Sequence, residues 1–136
     1  LAEGLVHCTG QKNLLKNLSD AFTNLARSQE NVISKARNTP EADLLLTQAL
    51  QDCQRAEDLL QGYEKRGGKT PLMDSAGLEY TRGLLYQAAG RHEEALQWFE
   101  EAFTRLKAVA SRSAYENSLL KWCEKAVKET RKMLKH

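Results

Sequence analysis

Between residues 40 and 65 apolar side chains recur at alternating intervals of four and three: Ala42, Leu46, Ala49, Cys53, Ala56, Leu60 and Tyr63. Side chains three and four apart lie over one another on a helix, so this spacing predicts one long helix with a single apolar stripe. A related rhythm runs from 11 to 37 through Leu15, Leu18, Phe22, Leu25, Val32 and Ala36, broken at Gln29. Two such stripes joined by a short loop suit an antiparallel hairpin packed at a shallow angle. Helical patterns over 72–89, 91–110 and 113–135 complete five expected helices. Residues 1–10, "LAEGLVHCTG", read as a short extra helix or a lead-in.

Punctuation sets the boundaries. "RNTPEAD" offers Asn38 or Thr39 as an N-cap ahead of Pro40, whose missing N–H costs nothing in a first turn. In "RGGKTPLM", Gly67 and Gly68 end one helix while Thr70 and Pro71 begin the next. Gly90 marks a tight helix-to-helix turn, and Ser113 with Glu116 three residues on forms a capping box.

Composition agrees with the pattern. β-branched and aromatic residues are sparse, and Leu, Ala, Gln, Glu, Lys and Arg dominate, so the expected fold is an all-α antiparallel bundle of about five helices. The length fits one domain, with a long hairpin over 1–70 and a three-helix half over 71–136. The chain begins with Leu1, which reads as a fragment of a longer protein. Three widely spaced cysteines, Cys8, Cys53 and Cys123, favour reduced buried thiols and a cytoplasmic location. A net charge of +2 does not point to nucleic acid, and no apolar run is long enough to span a membrane.

Catalytic chemistry finds no footing. His7, His92 and His136 lie far apart without ligand spacing, and there is no phosphate loop, nucleophile elbow or HExxH. Neither an enzyme nor a cofactor is expected.

The informative stretch is "GLLYQAAGRHEEALQWFEEAF", residues 83–103. Gly83, Ala95 and Ala102 supply small residues where two helices cross, and Tyr86 and Phe99 fill the grooves beside them. This resembles the tetratricopeptide repeat, whose pattern places Gly, Tyr, Gly, Ala, an aromatic and Ala at the spacing of Gly83, Tyr86, Gly90, Ala95, Phe99 and Ala102. The chain departs from that pattern at Glu79, where the repeat has Trp, at Arg82, where it has Leu, and at Lys107, where it has Pro. No second copy follows at the repeat distance. Residues 75–136, with "GRHEEALQWFEEAF" on the second of three helices, also resemble the MIT domain, the microtubule-interacting and trafficking module. That likeness implies a three-helix bundle taking a partner segment in a groove beside its third helix. Some autophagy-initiating kinases carry two MIT-like bundles as an adaptor-binding tail, and residues 1–70 would then be a degenerate first bundle.

The last helix carries Lys121, Lys125, Lys128, Lys132 and Lys135 in one narrow stripe, with Leu120, Val127 and Leu134 on an edge of its apolar side. A lysine stripe is most simply a solvated face. The MIT likeness aligns Val127 with a groove-facing position, although members reading basic motifs usually present acidic residues there. The candidate partner-binding residues are therefore Leu120, Lys121, Lys125, Val127, Lys128, Lys132 and Leu134, and the implied partner is a protein bearing an acidic-amphipathic helix or linear motif. Two alternatives stand beside this adaptor reading: a homodimer built through the two long N-terminal helices, and peripheral membrane docking through the lysines. Nucleic acid is set aside, because Trp122 is the only aromatic residue near the lysines.

Overall fold

A computed structural model describes the backbone of residues 2–135 and the side chains of residues 13–135. Six helices follow one another: α1 (Ala2–Ser28), α2 (Glu30–Lys35), α3 (Pro40–Lys65), α4 (Leu72–Ala88), α5 (His92–Lys107) and α6 (Ala114–Leu134). The bundle is all-α, as the patterning predicts.

The boundaries differ in places. The first helix starts at Ala2 rather than 11, and it breaks at Gln29, where the N–H bonds the Ala26 carbonyl three residues back at 3.1 Å. The Gln29 carbonyl then accepts from Ile33 to start α2. Asn38 takes a φ of 71°, a left-handed value that asparagine tolerates, and so turns the chain into α3. Thr39 and Pro40 open α3 as expected, but the Thr39 hydroxyl donates back to Ala36 instead of capping. Gly67, at φ 87°, ends α3, and the N–H of Gly68 closes on the Tyr63 carbonyl at 2.9 Å. Pro71, not Thr70, is the N-cap of α4. The helix expected over 91–110 stops at Lys107, where the Arg112 guanidinium collects the Leu106 and Val109 carbonyls. Both bonds of the Ser113–Glu116 box are present, at 2.7 and 3.1 Å.

The helices form two layers. Lys16 meets Asp74, Arg27 meets Thr81, and Tyr80 meets Trp122, so α1, α4 and α6 run parallel along one side. Helices α3 and α5 run the other way behind them, as Ser19–Ala56, Glu57–Arg82 and Glu79–Arg105 require. One core cluster joins Ala26, Ile33, Leu46 and Cys53 to Leu78 and Leu85, and two others fill the space between α4, α5 and α6. Arg37 closes the far corner, donating from Nε to Ala88 O at 2.9 Å and from Nη2 to Gln87 O at 3.1 Å.

On α3 the expected stripe is buried from Ala42 to Leu60, with Tyr63 half-buried. On α1 the expected stripe holds only in part. Ser19, Ala26 and Ile33 are buried and Leu15 and Phe22 half-buried, whereas Leu18, Leu25 and Val32 are 39%, 48% and 46% exposed. The reason is close approach. Ala49, Cys53 and Ala56 make a shallow surface on α3, and the Ser19 hydroxyl lies against it, donating to the Ala56 carbonyl at 2.8 Å. A satisfied buried hydroxyl costs little, so a serine takes a core place that the apolar pattern assigned to leucine.

Gly83 meets Phe99 where α4 and α5 cross. A Cβ on Gly83 would lie 2.5 Å from the Phe99 ring, and Ala95, Phe99 and Ala102 are fully buried, as the motif predicts.

Candidate functional site: a groove over α4

Helices α1 and α6 both pack on α4 and, among the described residues, not on each other, so α4 forms the floor of a groove between two walls. The α6 side is lined by Tyr80, Leu84, Trp122, Lys125, Ala126 and Glu129. Toward α1 it continues past Thr23, Asn24, Arg27, Met73 and Gly77.

The floor is rigid and aromatic. Tyr80 lies between Phe99 and Trp122, with ring centroids 5.6 and 6.3 Å away, and burial pushes its phenol pKa upward, so the ring stays neutral. The Arg27 guanidinium sits 5.9 Å over the same ring, and its Nη2 donates to Thr81 at 2.7 Å. Thr81 in turn donates to the Gly77 carbonyl, which leaves its hydroxyl oxygen oriented to accept from Arg27. Trp122 caps this stack and is 54% exposed. At one end Lys16 stands 3.5 Å from both Asp20 and Asp74. Burial, reinforced by Asp20, raises the Asp74 carboxyl pKa, and Lys16 opposes the rise. At the other end Lys125 is 3.9 Å from Glu129.

The residues expected to bind a partner do not share one face. Val127 is 7% exposed and packed with Ala95, Phe99 and Ala126, so it is a core residue. Leu120 is half-buried against Ala102, Leu106 and Cys123. The edge on which they lie is closed by α5, and of its three members only Leu134 is exposed, at 40%. Lys121, Lys125, Lys128 and Lys132 do face solvent, opposite the core, with Lys128 paired to Glu124 at 3.2 Å. The open flank of α6 is the other one, where Trp122 stands. The available signal was Trp122 itself, a large aromatic residue off the apolar stripe of an amphipathic helix. Arg27 and Tyr80 gave none, since their neighbours come from other helices.

Two of the three departures from the repeat pattern, Glu79 and Arg82, have partners on the neighbouring helices. Glu79 and Arg82 are buried on the opposite side of α4 from the groove. Arg82 pairs with Glu57 of α3 at 2.9 Å and lies 4.8 Å over the Trp98 ring. Glu79 pairs with Arg105 of α5 at 2.5 Å, and burial raises its pKa while Arg105 pulls it down. Two cross-layer ion pairs thus hold α4 where the pattern would have Trp and Leu.

Cys53 and Cys123 are buried free thiols, pushed up to about 11 and about 12 by burial. The Cys8 side chain and His136 lie outside the described residues, as does the side chain of His7. Among the described residues no group of three or more His, Cys, Asp or Glu is placed to hold a metal ion, and no helix is long and apolar enough to cross a membrane.

Parallel helices backed by antiparallel ones, with a Gly–Phe crossing, define a stack of helical hairpins. A 68-residue stretch is 37% identical to Protein KINESIN LIGHT CHAIN-RELATED 1 of Arabidopsis thaliana, which covers 50% of this chain and 10% of that protein. No family model matches the chain. No solved structure matches it either. The all-helical architecture and the partial likeness fit a tetratricopeptide-like helical fold.

Proposed function

We propose that the chain is a non-catalytic protein-interaction module that holds a short linear or helical segment of a partner protein in the groove over α4. The half-exposed Trp122 over the Tyr80 stack carries this reading: a rigid aromatic anchor in a concave site is the usual source of binding energy. The partial likeness to a helical relative supports an interaction role. The groove also lies beside the last helix, where the MIT-like reading seats its partner segment. Arg27 and Lys125 line it beside Asp20, Asp74 and Glu129, and with the exposed lysine stripe along α6 the basic residues of its rim favour an acidic-amphipathic segment. Reduced buried thiols suit a cytoplasmic setting.

The test is affinity capture with mapping of the bound segment, followed by titration of that peptide. Trp122→Ala should weaken binding at least about tenfold, as loss of an aromatic anchor does. Lys125→Glu should weaken it and flatten its salt dependence. Unchanged affinity in a Trp122→Ala protein with wild-type circular dichroism would refute the reading.

A further inference from the structure

From Leu14 onward the outer face of α1, continued across the break at Gln29 by α2, is apolar and faces solvent. Leu14, Leu18, Ala21, Leu25, Ser28 and Val32 advance by four, three, four, three and four, and every one of them is exposed. That is the seam of a two-stranded coiled coil, turned about 100° from the stripe that packs on α3. We infer that this seam pairs, antiparallel, with the same seam of a second copy of the chain.

Three observations select a second copy. The seam carries no charge, and the row beside it is Asn17, Asn24 and Asn31, so self-pairing brings no like charges together. The opposite end of the stack, the outer face of α6, is the lysine stripe. Head-to-tail stacking would set leucines on lysines, so the closed two-fold arrangement is the compatible one. Size matching gives the direction. An antiparallel pair centred near residue 23 sets Leu25 against Ala21, Leu18 against Ser28 and Leu14 against Val32, large against small. The Ser28 hydroxyl donates to the Leu25 carbonyl at 2.6 Å, so it enters the seam already satisfied. The seam is about 27 Å long, at the small end for a stable interface, so the dimer should dissociate on dilution. Thr23 and Arg27 lie on roughly the opposite side of α1, so the second copy would border the groove only along the row of Asn24.

Sedimentation over a concentration series tests the inference. The wild-type chain should move from monomer to dimer, and Leu18→Lys/Leu25→Lys, both at exposed positions, should stay monomeric with unchanged circular dichroism. Spin labels on Asn17→Cys in a Cys8→Ser background should lie beyond about 18 Å from each other, twice the axial offset from the centre. A wild-type monomer at every concentration, a dimer that survives the double substitution, or labels in contact would each overturn it.

Discussion

Gly77 and Gly83 lie on the same helix, and the same substitution should act on them with opposite signs. A Cβ at Gly77 meets nothing within 4 Å, whereas one at Gly83 falls 2.5 Å from the Phe99 Cδ1 and Cε1 atoms. Carbon atoms rest at about 3.5–4.0 Å, so Phe99 would have to retreat by about 1 Å. It has no room, being fully buried against Tyr80, Ala95 and Val127. Gly→Ala within a helix gains about 0.8–1.0 kcal/mol from backbone propensity alone, and overpacking a core contact costs about 1–3 kcal/mol. Gly77→Ala is therefore expected to stabilise by nearly the full propensity gain, and Gly83→Ala to lose up to about 2 kcal/mol. The difference between the variants cancels the propensity term and isolates the steric one. Urea unfolding of the two proteins beside wild type measures it directly. Equal midpoints would mean that α4 and α5 do not touch at Gly83, and the close crossing would be wrong.

Arg105→Ala removes the partner that offsets the burial of Glu79 and should cost about 1–3 kcal/mol at neutral pH. Burial holds the Glu79 pKa above the ordinary carboxylate range, so the folded state binds that proton more tightly than the unfolded chain does. The deficit of the variant should accordingly shrink as pH falls through that raised range, and an identical deficit at pH 7 and pH 5 would exclude the pair. Cys53 and Cys123 should resist a thiol reagent until the protein unfolds, and rapid labelling of the folded chain would contradict their burial. Because both folded pKa values are raised, to about 11 and about 12, their contribution to stability is complete below the unfolded thiol range and is lost as pH climbs above about 9.

The elements readable from the chain were those whose signals are local. Pro40, Gly67, Gly90 and the Ser113–Glu116 box placed helix ends because each acts on its own backbone. The stripe of α3 was readable because apolar residues fill it without exception. Helix α1 misled for the converse reason: Ser19 belongs to the core through a bond to Ala56, thirty-seven residues away, while Leu18 and Leu25 do not. The groove was half visible. The lysines face solvent, but Val127, expected beside the groove, lies in the core and Trp122 stands exposed on the other flank, because α5 covers the flank of α6 that carries Val127. Glu79 and Arg82 read as departures from a motif, and only their partners on α3 and α5 give them a purpose.

The corner held by Arg37 bears on how fast the chain can reach this state. Most packing here joins helices close in the chain: α1 with α3 across the short α2, α4 with α5, and α5 with α6. Such closures span short loops and need little search, and chains dominated by them fold in microseconds to milliseconds. The links that reach furthest are Lys16 to Asp74, Arg27 to Thr81 and Arg37 to Ala88, fifty-eight, fifty-four and fifty-one residues apart. They connect the first hairpin to the floor of the groove. The floor thus gains its last wall only when these links engage, and refolding of a Trp98→Phe protein followed by Trp122 fluorescence should finish later than the rise of helical signal.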